Sequence, residues 1–399
     1  MSGAVVRPRV GRVTIFDSVP LDQLRRRTSV KWRHYPPDVL PLFVAEMDVP
    51  QPEPVIRAVT DALRSGDTGY AEGTAYAEAF AAFAAERYGW DVDVPATRTV
   101  PDVMLGIVEV LGLLTGPGDA VVINPPVYPP FRGFVEHAGR RVVTAPLCPD
   151  GRLDLAVLGE AFAHARAQGR RAAYLLCHPH NPTGTLHTAA ELRSVGELAA
   201  RHGVRVVADE IHAPLIPTAA DGSAPQFVPT TTQIPDAIAL HSASKAFNLA
   251  GLRAALAVPG PAAAEDLARL PELVGHGVMH LGAVAQIAAL RDCGPWLDEV
   301  LRGLGENQRL LAGLLADTLP EAAWAVPEAT YFAWLDLRAV PAVRAGADPA
   351  RLALQRGRVA LNQGLTFGVE GTGFVRLNLA ASTATLTEAV SRTALALAN

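Results

Sequence analysis

The chain has 399 residues, about half of them apolar, and a formal net charge of −5. This length and composition predict a large core with room for two lobes, not one small module. The acidic balance and the absence of a run rich in lysine and arginine argue against nucleic acid or an anionic membrane as the main partner, so we expect a small-molecule ligand.

The sequence carries no sign of export or of membrane attachment. Residues 1–13 contain arginines but no apolar stretch, and the most apolar helical pattern, at residues 103–114, is too short to span a bilayer. Cys148, Cys177 and Cys293 are widely spaced and lack the paired spacing of zinc or redox sites. We therefore expect a cytoplasmic protein with reduced thiols.

After a proline-rich break at residues 50–54, helical patterns alternate with short β-branched runs. The predicted helices cover residues 75–88, 103–114, 155–167 and 189–202. The predicted strands cover residues 120–124, 141–145, 172–177, 204–208 and 237–241. This alternation predicts an α/β fold with a buried, mostly parallel sheet.

The pattern changes from about residue 285. A long helix is predicted at residues 296–315, followed by strands at residues 331–337 and 374–379 and by a closing helix. We interpret this part of the chain as a second, smaller α+β lobe.

Four candidate site residues follow predicted strands of the first lobe. Tyr128, Asn181, Asp209 and Lys245 come after the strands at residues 120–124, 172–177, 204–208 and 237–241. In open α/β sheets, ligands bind beyond the carboxyl ends of the strands. The four side chains are therefore predicted to line one ligand site.

Lys245, Asp209 and Asn181 suit the chemistry of pyridoxal phosphate. A lysine amine can hold this cofactor as a Schiff base, an aspartate can keep the ring nitrogen protonated, and an asparagine amide can donate to the phenolate oxygen. Taken singly, they also fit a solvated surface lysine, a helix N-cap and a turn. Their common position favours the cofactor, and we predict Lys245 and Asp209 to be catalytic.

Two aromatic side chains extend this prediction. Tyr128 lies in a proline-rich loop that suits a ring stacked on the pyridine, and we include it among the catalytic residues; ordinary packing is the alternative. His212 follows Asp209 by three residues and could donate to the phenolate oxygen, or it could lie on the surface of a helix.

A phosphate requires backbone amides at a helix start together with hydroxyls or a fixed cation. Ser242, Ser244 and Arg253 lie around the candidate lysine, and Val103 and Met104 begin a predicted helix. We predict that these five residues bind the cofactor phosphate. A salt bridge at a strand end is the alternative for Arg253.

Arg376 lies in an apolar strand, where a buried guanidinium normally requires an anion. We predict that it binds the α-carboxylate of an amino-acid substrate, with Asn181 beside it; a structural carboxylate is the alternative.

No metal is expected, because the histidine pairs at residues 178/180 and 276/280 lack carboxylate or thiolate neighbours in the sequence.

From about Phe16 onward, the sequence resembles the fold type I pyridoxal phosphate enzymes of the class I/II aminotransferase superfamily, and more narrowly their cystathionine β-lyase branch of the MalY and PatB type. The resemblance lies in residues 29–32, 41–48, 126–128, 180–184, 209–212, 244–248 and the strand around Arg376.

This resemblance implies a large cofactor-binding domain at residues 51–285, built on a mostly parallel seven-stranded sheet flanked by helices. It implies a smaller α+β domain at residues 286–399, joined by the N-terminal segment of residues 1–50. It further implies a homodimer with interface active sites, in which Tyr70 reaches the cofactor phosphate of the partner subunit.

The implied activity is α,β-elimination of cystathionine or another L-cysteine S-conjugate to a thiol, pyruvate and ammonia. An aminotransferase on the same scaffold is the first alternative. A non-catalytic regulatory protein is the second, and the lack of a basic, helix-turn-helix-sized segment before Phe16 argues against it.

Four residues depart from the branch pattern, and one of them, His178 in place of a common asparagine, carries no argued consequence. Phe43, Glu46 and Asp102 stand where the branch usually has Trp, Asp and Gly, so the sulfur substrate stays open. We expect Asp102 to point away from a bound phosphate and to cap its own helix.

Overall fold

The computed structural model describes residues 14–398. Residues 1–13, which belong to the predicted N-terminal segment, and residue 399 lie outside the described residues. The strands are β1 (Leu40–Pro41), β2 (Arg98–Val100), β3 (Ala120–Ile123), β4 (Arg141–Thr144), β5 (Ala172–Cys177), β6 (Arg205–Asp209), β7 (Ile238–His241), β8 (Ala255–Pro259), β9 (Phe332–Asp336), β10 (Val359–Ala360), β11 (Asn362–Gln363) and β12 (Phe374–Asn378).

The helices are α1 (Leu21–Leu24), α2 (Val30–Arg33), α3 (Glu53–Ser65), α4 (Ala75–Tyr88), α5 (Val103–Leu114), α6 (Pro130–His137), α7 (Leu155–Ala165), α8 (Ala189–His202), α9 (Thr230–Gln233), α10 (Ala264–Leu267), α11 (Glu272–Gly275), α12 (His280–Asp292), α13 (Gly294–Thr318), α14 (Pro341–Arg344), α15 (Pro349–Gln355) and α16 (Thr383–Ala398). None of these described helices is long and apolar enough to cross a membrane.

The large sheet has seven strands in the order β2-β8-β7-β6-β5-β3-β4. Strands β3 to β7 run parallel, and β8 runs antiparallel to both of its neighbours. All residues of β3, β5 and β7 are buried, as expected for parallel strands covered on both faces. The predicted fold, a mostly parallel seven-stranded sheet flanked by helices, is confirmed.

Side chains that alternate along the strands pack against different helices. Val121 of β3 lies in one cluster with Ile107 of α5. Val122, the next residue, lies in another cluster with Leu158 of α7 and Val195 of α8. The sheet is therefore the middle layer of three, and its carboxyl edge is held rigidly between the helices.

The five strands predicted in the first lobe are present, within one residue at either end, whereas the elements missed there include β2, β8, α3 and α6. Strand β8 is rich in alanine and lacks the β-branched run that predicts a strand. Helix α3 was missed because Pro50, Pro52 and Pro54 were interpreted as a break, although only Pro54 lies within the helix, in its first turn, where proline is tolerated.

A second, antiparallel sheet has the order β11-β12-β9, and β1 pairs in parallel with β10. The β1–β10 pair connects the N-terminal segment to the C-terminal part of the chain. The boundaries at residues 50 and 285 stay predictions.

A buried ion pair holds the segment before α3. Lys31 Nζ lies 2.7 Å from Asp48 Oδ1, and both side chains are essentially inaccessible to solvent. The same amine donates to the carbonyl of Glu46 at 3.1 Å. The pair thus fixes residues 46–48, directly after Ala45, which lines the candidate site.

We expect Asp48→Ala to lower the free energy of unfolding by about 3–5 kcal/mol, because it leaves a charged lysine buried without its partner. Urea denaturation followed by circular dichroism measures this loss. The charge-free double variant Lys31→Met/Asp48→Leu should recover most of it. Equal losses in both variants would contradict this explanation.

Candidate active site

A cavity of about 280 Å³ lies at the carboxyl edge of the large sheet. Its lining includes the predicted residues Val103, Met104, Tyr128, Asn181, Asp209, His212, Ser242, Ser244, Lys245 and Arg253. The topology brings them together because β3, β5, β6 and β7 all end at this edge. Arg376 lies beside the cavity and contacts it through Asn181.

Lys245 lies in the turn after β7 and is partly buried. Burial, reinforced by the nearby charge of Arg376, lowers the pKa of its amine, while Asp209 opposes this effect. No hydrogen-bond acceptor for Nζ is found among residues 14–398. The amine is therefore available as a nucleophile and as a base.

The sequence contains only two lysines, Lys31 and Lys245. Lys31 is buried in its pair with Asp48, so Lys245 is the lysine that a carbonyl compound can reach. This count was available from the sequence and strengthens the prediction for Lys245.

Asp209 is the last residue of β6 and is buried. Burial raises the pKa of its carboxyl to about 7, against the opposing effects of the amide of Ile211 and of Lys245. A turn, not a helix, follows the residue, so the alternative of a helix N-cap is wrong. At this buried position, the ionised carboxylate is stabilised most by a cationic partner inside the cavity.

His212 lies in the same turn and is buried, so the alternative of a helix-surface histidine is also wrong. Its ring contacts Tyr331 and Phe332 edge-on, and burial keeps its pKa well below the usual range. Within the described residues, Nδ1 has no hydrogen-bond partner. A neutral ring with an unpaired nitrogen beside the cavity suits a polar ligand.

Arg376 lies in β12 and donates to three neutral oxygens: Asn181 Oδ1 at 2.9 Å, the Phe43 carbonyl at 3.0 Å and Asn362 Oδ1 at 2.8 Å. Its guanidinium also lies 3.8 Å from the ring centre of Phe332. Within the described part of the chain no carboxylate is in ion-pair distance, so the alternative of a structural carboxylate is wrong.

The bond from Arg376 orients the side chain of Asn181. Because Oδ1 accepts from the guanidinium, the amide nitrogen of Asn181 is left as the donor toward the cavity. Tyr128 faces the same space, half-buried, with its ring edge-on to Phe131. Burial raises the pKa of the Tyr128 phenol, and Asp209 adds to this rise.

The outer end of the cavity is formed by the start of α5. Asp102 caps this helix by accepting from the Leu105 amide at 2.9 Å, as predicted. The amides of Val103 and Met104 have no acceptor within residues 14–398 and are available to an anion. The second oxygen of Asp102 pairs with Arg253 at 3.3 Å. Arg253 lies two residues before β8, so this pair is the strand-end salt bridge that the sequence left open as the alternative for this arginine.

Sequence reasoning missed the residue that holds the lysine loop. Gln286 of α12 is fully buried, and its Oε1 accepts from Ser242 Oγ at 3.0 Å and from the Ala243 amide at 2.9 Å. Its amide nitrogen donates to the carbonyl of Ala254. Ser242 thus positions the loop, whereas the hydroxyl of Ser244 is not engaged by any described residue. No sequence motif marks a lone glutamine in a helix.

Tyr70 does not line this cavity. Its side chain is 85% exposed, and its ring lies 6.4 Å from that of His276. Within residues 14–398, no group of three or more histidine, cysteine or acidic side chains is arranged to hold a metal ion.

Comparison with known proteins gives consistent matches along most of the chain. The family model described as aminotransferase class I and II matches residues 37–392. A Mycobacterium tuberculosis protein named "Putative cystathionine beta-lyase" is 53% identical, with 94% of this chain and 97% of that protein covered. The cystathionine beta-lyase PatB of Bacillus subtilis is 33% identical, with 89% and 92% covered.

A solved structure from Corynebacterium diphtheriae, described as a "putative plp-dependent beta-cystathionase", superposes with a TM-score of 0.88. It is 31% identical, and the match covers 97% of this chain and 99% of that one. These matches confirm the resemblance that the sequence motifs indicated.

Proposed function

The chain belongs to the aminotransferase class I and II family, and from this premise we propose that it is a pyridoxal phosphate-dependent carbon–sulfur β-lyase. The proposed reaction is α,β-elimination of cystathionine or another L-cysteine S-conjugate. The observation that carries the proposal is the free Lys245 amine in one cavity with buried Asp209. The names of the M. tuberculosis and B. subtilis relatives support the lyase reaction.

The groups left unpaired in the cavity fit this cofactor. Lys245 would bind its aldehyde carbon, Asp209 its ring nitrogen and Tyr128 its ring face, while Asn181 and His212 would donate to its phenolate oxygen. The amides of Val103 and Met104 and the free hydroxyl of Ser244 would bind its phosphate, together with Arg253, which is paired with Asp102. Ser242, predicted as a further phosphate contact, has its hydroxyl engaged by Gln286 and Ala254 and would hold the loop instead. Bound pyridoxal phosphate supplies a sink for the negative charge that develops at the substrate Cα.

The chain's own residues then have defined tasks. The amine of Lys245 removes the Cα proton, and the carboxylate of Asp209 keeps a proton on the ring nitrogen. Arg376 holds the substrate carboxylate, with Asn181 beside it. Cleavage of the Cβ–S bond releases the thiol, and hydrolysis of the remaining three-carbon unit by one water gives pyruvate and ammonia.

The experiment is a panel of cysteine S-conjugates, cystathionine included, incubated with the cofactor-loaded enzyme. Thiol is measured with a disulfide reagent and pyruvate with lactate dehydrogenase. We expect catalytic release of both products in equal amounts. Transfer of the amino group to a 2-oxo acid, without thiol or pyruvate, would contradict the proposal and favour the aminotransferase.

For Arg376→Lys we expect KM to rise by about 10- to 100-fold with a smaller change in kcat, because lysine keeps the charge but loses the bidentate fork. The matched control is Arg338→Lys at the exposed Arg338, which should leave KM unchanged. S-substituted cysteamines, which lack the carboxylate, should bind the wild type and Arg376→Lys equally. If these cysteamines still bind the wild type more tightly than Arg376→Lys, the proposed role of Arg376 in binding the substrate carboxylate is contradicted.

We further propose that the protein acts in the cytoplasm as a homodimer in which Tyr70 reaches the partner subunit's cofactor phosphate. Its exposed ring supports this, as do Leu273, 71% exposed, and Met279, 41% exposed, which flank His276. Sedimentation velocity of the wild type and Tyr70→Phe, with cofactor affinity measured in parallel, tests the two parts of this proposal.

A further inference from the structure

Asp102 occupies an unusual position at the outer end of the cavity. One carboxylate oxygen caps α5, and the other pairs with Arg253 at 3.3 Å. Both side chains line the cavity together with the free amides of Val103 and Met104. The carboxylate therefore lies among the groups that would bind a phosphate.

The charge balance at this end is unfavourable for a phosphate. Among the described side chains that line the cavity, the cationic ones are Lys245 and Arg253. Lys245 interacts with Asp209 at the inner end. Arg253 is the remaining cation, and the carboxylate of Asp102 already neutralises it. A phosphate that reaches Arg253 has to displace this internal anion or bind beside it.

We propose that Asp102 sets the affinity for the phosphate-bearing cofactor by competing with its phosphate for Arg253. This inference rests on the proposed function. Asp102 makes the cofactor dissociate more readily than the other contacts alone would dictate. The fraction of enzyme molecules that carry the cofactor then depends on the concentration of free pyridoxal phosphate.

A purely structural role for Asp102 can be separated from this one. Asparagine and serine cap helices about as well as aspartate, so Asp102→Asn and Asp102→Ser keep the cap but remove the charge. Asp154 provides a matched control, because its carboxylate caps α7 through the amides of Ala156 and Val157, away from the cavity. Asp154→Asn removes one charge from a helix cap without touching the site.

The test measures the dissociation constants of pyridoxal phosphate and of pyridoxal for the apoenzyme, by equilibrium dialysis. We expect Asp102→Asn and Asp102→Ser to bind pyridoxal phosphate about tenfold more tightly than the wild type, since one like charge near the phosphate is gone. Pyridoxal, which lacks the phosphate, should bind all proteins equally. Asp154→Asn should match the wild type with both compounds.

Inorganic phosphate offers an independent probe. A given rise in the Tm of the apoenzyme should require a lower phosphate concentration for Asp102→Asn than for the wild type. Unchanged or weaker pyridoxal phosphate binding in both Asp102 variants would overturn the inference, as would an equal gain with pyridoxal. If borohydride traps no pyridoxyl group on Lys245 in any of the proteins, the proposed function fails and this inference with it. Trapping on Lys245 with unchanged affinity overturns the inference alone.

Discussion

We expect Lys245→Ala to lower kcat by at least about a thousandfold, because in the proposed mechanism this side chain is both the cofactor's attachment point and the base for the Cα proton. The loss is measured as thiol and pyruvate release at saturating substrate. A small primary amine such as ethylamine should restore part of the activity, since it can enter the space that the lysine side chain leaves. Turnover near the wild-type level would exclude the proposed mechanism.

The scarcity of lysine gives this prediction a sharp chemical control. Borohydride reduction of the cofactor-loaded wild type should attach one pyridoxyl group, and peptide mass spectrometry should locate it on Lys245. The Lys31→Met/Asp48→Leu variant, in which Lys245 is the only lysine, should be labelled to the same extent. If the pyridoxyl label is lost in this variant, the cofactor is attached to Lys31 and not to Lys245.

The inner end of the site was predictable because it depends on local sequence and on a general property of α/β sheets. Buried apolar runs define β3, β5, β6 and β7, and their carboxyl ends meet at one edge. Asn181, Asp209 and Lys245 each follow such a run within a few residues. Knowing the strands was therefore enough to predict that these side chains share a cavity.

The outer end was less predictable because it depends on contacts between distant segments. Asp102 and Arg253 are 151 positions apart, and Gln286 contacts a loop more than 40 residues before it. A helix cap is a local feature, so that part of the Asp102 expectation was correct. The direction of its second oxygen depends on where Arg253 lies, which no local pattern reveals.

The neutral partners of Arg376 illustrate the same limit. The apolar strand around it indicated that an anion would be required. In the structure, the oxygens of Asn181, Phe43 and Asn362 and the ring of Phe332 surround the guanidinium instead. These groups solvate the cation without neutralising it, so the guanidinium retains its positive charge, which the proposed function assigns to a substrate carboxylate.

Asp209→Asn should separate the requirements of catalysis from those of stability. Asparagine fills the same volume but cannot keep a proton on the ring nitrogen, so we expect kcat to fall by about a hundredfold or more. In the apoprotein the same change should be stabilising at pH 8. The buried carboxylate has no cofactor partner there and is costly when ionised.

The size of this gain should depend on pH in a defined direction. Burial raises the pKa of Asp209 from its ordinary value of 3.8 to about 7, and each pKa unit corresponds to about 1.4 kcal/mol, so the cost reaches at most about 4 kcal/mol. Well below pH 3.8 the carboxyl is neutral in both the folded and the unfolded chain, and aspartate costs no more than asparagine. As pH rises from 3.8 to about 7, the carboxyl ionises in the unfolded chain before it does in the folded one. The wild-type apoprotein therefore loses stability over this range, and the loss levels off above about pH 7, whereas the variant does not change.

Urea denaturation of the two apoproteins at pH 4.5, 6 and 8 measures the difference, which should grow steadily with pH. Asp61→Asn, at an exposed position of α3, should change stability by less than about 0.5 kcal/mol at each pH. A constant difference across the range would mean that Asp209 does not titrate on folding. A wild type more stable than Asp209→Asn at pH 8 would mean that the apoprotein already provides a partner for the ionised carboxylate. Either result would contradict the raised pKa of Asp209 and the expected cost of ionising it in the apoprotein. The role of Asp209 at the ring nitrogen is tested separately by the kcat of Asp209→Asn.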